Sequence, residues 1–123
     1  MLVKKTMACP ATLAIDGCEI REVIHPAQDP LVVPYSLAVA EVAPGTTTHP
    51  HRLQADEVYY LLEGAGRMHI EDDIQDLIAG DVVYIPANRV QWIENSGSGP
   101  LRFIALVSPP WSSTQDERVS PGA

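Results

Sequence analysis

A chain of 123 residues with 46% hydrophobic and 20% charged residues has the makeup of one globular domain, long enough to bury a core without staples. Its formal net charge of −8 excludes the basic surface that nucleic acid or an anionic membrane requires, and no stretch approaches the roughly 18 apolar residues of a membrane span. The opening residues lack the apolar run of a secretory signal, so the cytoplasm is the expected compartment, with Cys9 and Cys18 as free thiols.

In chain order, residues 1–34 read as an N-terminal arm with edge strands, rich in prolines that break helices. Tyr35 to Val42 reads as a strand bounded by Pro34 and by Pro44-Gly45. A histidine segment follows, then a strand from Glu57 to Glu63, a turn at Gly64 and Gly66, and a strand from Arg67 to Glu71. On that last strand Arg67, His69 and Glu71 share a face, which predicts a solvent-facing His69 rather than a ligand. Asp72-Asp73 predicts a turn, and short strands fit Ile74 to Ile78, Asp81 to Pro86 and Gln91 to Asn95, with Asn88 in a turn. Leu101 to Val107 reads as a buried final strand. Residues 108–123 form a tail without periodicity, anchored by Trp111 and expected to be disordered at its end. Residues 35–107 are thus the expected core of a single all-β domain, a barrel or sandwich of the jelly-roll kind.

The chemistry is concentrated between Pro44 and Gly64. His49 and His51 are one residue apart and leave the same face of an extended strand, with Glu57 on the strand that follows. Imidazole nitrogen and carboxylate oxygen together suit a divalent transition metal. Asp56 alternates to the opposite face from Glu57, toward solvent, while Tyr59 shares the Glu57 face.

Two spaced motifs extend this reading. Gly45, His51, Glu57 and Gly64 form one; Gly80, Pro86, Asn88, Gln91 and Asn95 form the other. Together they resemble the two motifs of the cupin superfamily, over roughly residues 35–107. The resemblance implies a double-stranded β-helix, the jelly-roll barrel of small single-domain bacterial cupins. The family pattern places His-x-His, Glu and a third His around one metal ion. Here His51 takes the first slot, Leu53 the second, Glu57 the glutamate slot and Gln91 the third histidine slot. An alternative alignment makes His49 and His51 the pair. The resemblance therefore implies one divalent transition metal (Fe, Mn, Zn or Ni) held by His49, His51, Glu57 and Gln91, with Tyr59 as the candidate for proton transfer. Three functions are compatible with such a barrel: a metal-dependent oxygenase, isomerase or lyase, a module that binds a small ligand without turnover, or a metal-free enzyme using His51 and Glu57 as an acid–base pair. A small polar organic molecule is the expected ligand, and a homodimer packed through the apolar N-terminal segment is the expected assembly.

Overall fold

A computed structural model describes residues 1–120. Strict period-two patterning builds its two sheets, because alternate side chains of a strand leave opposite faces. Strand β3 (Ser36–Val42) alternates buried and half-buried residues along its whole length, as does β10 (Leu101–Ser108). The other strands are β1 (Ala11–Leu13), β2 (Glu19–Ile24), β4 (His51–Leu53), β5 (Asp56–Glu63), β6 (Ala65–Ile70), β7 (Asp73–Ile78), β8 (Val82–Ile85), β9 (Val90–Asn95) and β11 (Asp116–Arg118). Two short 3-10 turns, Thr6–Ala8 and Ser113–Gln115, are the helical elements among the described residues.

A six-stranded sheet runs in the order β1-β2-β3-β10-β5-β8, and a five-stranded sheet in the order β11-β4-β9-β6-β7. Every pairing is antiparallel. Their inner faces close over one apolar core, in which Leu61, Leu101, Phe103, Ile85 and Ile93 are 0–1% exposed. This is the jelly-roll barrel expected from the sequence. Gly64 shows how tightly the turn between β5 and β6 is drawn. Its φ is +89°, and a Cβ there would stand 2.4 Å from the Pro100 carbonyl oxygen. Glycine alone meets both demands.

Local corrections are few. The turn after β6 falls at Glu71-Asp72, with Glu71 at φ 51°, and Asp73 already belongs to β7. Asn88 occupies its turn at φ 67°, as the sequence predicts. His69 lies on the outer face, its ring stacked on Trp92 at 4.4 Å and its Nε2 3.0 Å from Glu94. The tail departs most from expectation. It folds back as β11, which pairs with β4. Trp111 packs on Leu53, Ala55 and Val107, and its backbone carbonyl lies 2.8 Å from His25 Nε2. The disorder expected for the final residues concerns positions 121–123, which lie outside the described residues.

Candidate functional site

Between the sheets, at the end where β4 meets the six-stranded sheet, lies a cavity of about 380 Å³. Inward residues of β2, β3, β5 and β10 make its floor: Ile20, Ala38, Ala40, Tyr59, Phe103 and Ala105 among them. Small alanines on β3 and β10 leave the space that larger side chains would fill. The Tyr59 and Phe103 rings meet at a centroid distance of 4.2 Å and stiffen one wall.

Two segments remote in sequence close the cavity. The turn at Asp16-Gly17 and the strand β11 converge on the start of β4. The His49 N–H donates to the Asp16 carbonyl at 2.6 Å, and the Val119 N–H donates to the Pro50 carbonyl at 2.9 Å. Arg118 Nε donates to the Ile15 carbonyl, tying the two closing segments to each other. At the centre of this seam is His51, 4% exposed. Its Nδ1 donates to Asp116 Oδ1 at 2.8 Å, and Asp116 Oδ2 accepts from Trp111 Nε1 at 2.9 Å. Its Nε2 faces Asp16 Oδ2 at 3.5 Å, near enough for ionic attraction but without a hydrogen bond. Burial opposes a charge on this imidazole, yet the Asp116 hydrogen bond and the negative charges of Asp16, Asp116 and Glu57 outweigh it and raise its pKa.

Beside it runs a second buried chain of hydrogen bonds. Tyr59 donates its hydroxyl to Gln91 Oε1 at 3.1 Å, and Gln91 Nε2 donates to Glu57 Oε1 at 2.9 Å. Burial pushes the Glu57 carboxyl up to about 7, against the opposing pull of His51 and the Gln91 hydrogen bond. The same burial, with the Glu57 charge next, lifts the Tyr59 phenol well above its usual range. Cys18, also on the cavity wall, has its thiol pushed up by burial and by Asp16.

The structure therefore brings four of the five predicted residues together: His51, Glu57, Tyr59 and Gln91. His49 is not brought in. Strand β4 begins at His51, residues 48–50 are not in a strand, and His49 does not line the cavity. Its backbone N–H donates to the Asp16 carbonyl outside any strand, so period two does not relate its side chain to that of His51. Asp56 is exposed and accepts from the Tyr84 hydroxyl and the Ala87 N–H, on the outward side as expected.

The donor set does not fit a mononuclear metal centre. Leu53, 2% exposed, is apolar in the second histidine slot. Gln91 has both ends of its amide engaged, its oxygen by Tyr59 and its nitrogen by Glu57. Among the described residues, no three or more His, Cys, Asp or Glu side chains are grouped so as to hold an ion. The residues that sequence reasoning missed are Asp16, Asp116 and Glu22, all of which line the cavity. Asp16 precedes a glycine and reads as a turn residue, while Asp116 sits in a polar stretch without periodicity. Neither carries a local signal for a buried site.

The sequence model of the Cupin domain family matches residues 38–107. Uncharacterized protein MJ1618 of Methanocaldococcus jannaschii is 38% identical over 103 residues, 83% of this chain and 82% of that protein. An oxalate-binding protein of Thermotoga maritima is 31% identical over 68 residues, covering 54% of this chain and 56% of the relative. Among solved structures, a predicted oxalate decarboxylase from Thermotoga maritima superposes with a TM-score of 0.75 at 21% identity, covering 88% of this chain and 99% of its own. That likeness establishes the shared barrel and not a shared substrate.

Proposed function

Starting from a chain that belongs to the cupin domain family, we propose that it holds one small organic molecule inside the barrel, and does so without a metal ion. The observation that carries the reading is the cavity itself. It is mostly apolar, its volume falls within the range of roughly 300–1,000 Å³ typical of small-molecule pockets, and it ends on a buried, oriented histidine. The Asp116 hydrogen bond fixes the ring of His51 and leaves its Nε2 without a hydrogen-bond partner. Tyr59 serves to hold Gln91, and Gln91 to hold Glu57. A phenol raised so far is a poor proton donor to a ligand near neutral pH.

The test is direct. Protein purified without metal-affinity resin and treated with chelator is screened by thermal shift against small organic molecules. Stabilisation of about 2.7 kcal/mol at a hundredfold excess over Kd is expected for a bound ligand, unchanged by the chelator. One equivalent of tightly bound metal that His51→Ala removes would sink this reading.

A second reading is favoured by one observation. Glu57 near 7 and an imidazole oriented by a carboxylate are the parts of an acid–base pair. On that reading the bound molecule is turned over by proton transfer between His51 and Glu57. A ligand recovered unchanged after long incubation excludes it.

The homodimer is proposed on a different surface from the N-terminal segment. On the outer face of the six-stranded sheet, cross-strand register lines up Leu37, Leu106, Val58 and Tyr84 in one row. Val39, Ile104, Tyr60 and Val82 form the next. Tyr60, Val82 and Tyr84 are 44–60% exposed, an apolar patch suited to a second copy of the chain. Light scattering that gives only the 13.4 kDa monomer refutes it.

A further inference from the structure

We propose that His51 is a proton-operated latch on the cavity: the proton on its Nε2 holds the turn at residues 14–18 closed, and its loss to solvent releases that turn. The latch regulates the cavity read above as a ligand site, and so rests on that reading for its use, though not for its mechanics.

The turn is built as a cover. Leu13, Ala14, Ile15, Asp16 and Cys18 all line the cavity. Behind them, β1 is three exposed residues on the edge of its sheet, paired with β2. A segment so lightly held is the kind that opens locally while the rest of a domain stands. Three ties bring it to the barrel: the His49 N–H to the Asp16 carbonyl, Arg118 to the Ile15 carbonyl, and the approach of the Asp16 carboxylate to His51. Only the third can be switched. It joins two side chains that are 4% and 6% exposed.

The two protonation states of His51 act unequally on its two carboxylates. With both nitrogens protonated, Nδ1–H donates to Asp116 at 2.8 Å, and the positive ring attracts Asp16 Oδ2, 3.5 Å from Nε2. The proton on Nε2 is the one to leave, because Nδ1–H sits in a charge-assisted hydrogen bond and Nε2 makes none. The neutral ring then turns a lone pair toward the Asp16 carboxylate. Attraction becomes repulsion on that side alone, so β11 keeps its bond while the turn loses its charge tie.

The neighbouring groups set the sign. Burial opposes the charge on His51, but the Asp116 hydrogen bond and the charges of Asp16, Asp116 and Glu57 raise its pKa above the ordinary 6.5. Strand β9 sets the neutral Gln91 opposite His51, and Arg118, in register with it on β11, is turned to Ile15. Arg52 and Glu117 pair with each other at 3.7 Å. Burial, then nearby carboxylate charge, pushes up both Cys18 and Tyr59, so both stay protonated. Glu22 of β2 lines the same cavity, its charge countered by Lys4 and His25. The latch is therefore closed below about pH 6.5 and releases as pH climbs through the raised value.

Hydrogen exchange by NMR from pH 6 to pH 8.5, corrected for intrinsic rates, reads the latch without a ligand. The Gly17, Cys18 and His49 amides are bonded to the Ala14 carbonyl, the Asp16 side chain and the Asp16 carbonyl. Their protection is expected to fall about threefold or more across that range, since each pKa unit between closed and open turn is worth tenfold in opening. The Asp81 amide, in a turn beyond β7, should keep constant protection. In Asp16→Asn, which keeps an acceptor for Cys18 but no charge, the fall should vanish. Ring 15N shifts should show Nε2, not Nδ1, losing its proton. Methyl methanethiosulfonate, a small neutral reagent, measures entry: its reaction with Cys18, 7% exposed, relative to the half-buried Cys9 should rise by the same factor in the parent and stay flat in Asp16→Asn. Flat protection in the parent, an equal fall in Asp16→Asn, or a proton lost from Nδ1 overturns the latch; the parent profile and ring shifts decide it alone if the variant does not fold. Falling protection with constant Cys18 reactivity overturns the claim that the turn admits molecules. A working latch in a protein that no small organic molecule stabilises supports the latch and defeats the ligand reading.

Discussion

Asp116→Ala removes the carboxylate that joins the tail to the cavity. Two hydrogen bonds go with it, from His51 Nδ1 at 2.8 Å and from Trp111 Nε1 at 2.9 Å. His51 is 4% exposed, so its N–H is left without a partner and without water, which costs about 1–3 kcal/mol. Trp111 is half-buried and regains some solvent, so its loss is about 1 kcal/mol. Removing one negative charge from a cavity that holds Asp16 and Glu57 offsets part of this. The net loss is expected to be about 3 kcal/mol, a large share of the roughly 5–15 kcal/mol that holds such a domain together. For a chain of this length it corresponds to a fall in Tm of about 10 °C. Asp116→Asn keeps an acceptor for one donor and should lose about half as much. Urea denaturation at pH 6 measures both, and an NMR titration of the His51 ring should show its pKa lowered in each, because the hydrogen-bonded carboxylate is the main influence raising it. A loss below 1 kcal/mol for Asp116→Ala, or an unmoved His51 titration, would refute the claim that this carboxylate closes the site.

Other consequences are equally open to measurement. Glu57 is raised to about 7 in the folded chain, so its protonated form is favoured by folding, and its contribution is present below the unfolded pKa and lost as pH rises through about 7. Stability should therefore fall between about pH 4.5 and 7.5, and Glu57→Gln should flatten that slope and stabilise the protein at pH 8 by about 3 kcal/mol in denaturant titrations; an unchanged pH profile would count against a buried ionisable Glu57. His51, also raised, adds a slope of the same sign. Gly64→Ala forces a Cβ to 2.4 Å from the Pro100 carbonyl at φ +89° and should cost more than 3 kcal/mol; a variant within 1 kcal/mol of the parent would show that the turn relaxes freely. Tyr60→Glu combined with Val82→Glu should yield a monomer by light scattering without lowering the melting temperature of the barrel, if the outer sheet face is the dimer contact.

The barrel was legible because its strands announce themselves locally. Ser36–Val42 and Leu101–Ser108 alternate so regularly that their inward faces follow from period two alone. The resemblance of the two glycine-spaced motifs to the cupin pattern implied that His51, Glu57 and Gln91 meet around one point, and the structure joins Glu57 to Gln91 directly. What spacing could not supply was the direction of the amide. Gln91 turns its nitrogen to Glu57 and gives its oxygen to Tyr59, which spends the group on its neighbours instead of on an ion. For His49 the same-face argument has no footing, because period two holds only along a strand and β4 begins at His51. Asp16 and Asp116 were invisible for a different reason. Each reaches His51 through a pairing across many residues, and no window along the chain contains both partners.

The seam has a bearing on the order in which this protein assembles. The bond between Arg118 and Ile15 spans 103 positions of the chain, and that between His51 and Asp116 spans 65. Such contacts bear the largest loop-closure entropy and form after the more local hairpins, such as β6 with β7, are already in place. The same ranking applies in reverse to fluctuations of the native state. The short strand β11, three residues long on the edge of its sheet, is held by few backbone bonds, whereas β10 is paired on both sides. Amide hydrogens of β11 should therefore exchange through partial openings that leave the β3-β10-β5 ladder protected. Each such opening would uncover the cavity while the barrel stands, and would give the proposed guest molecule a way in.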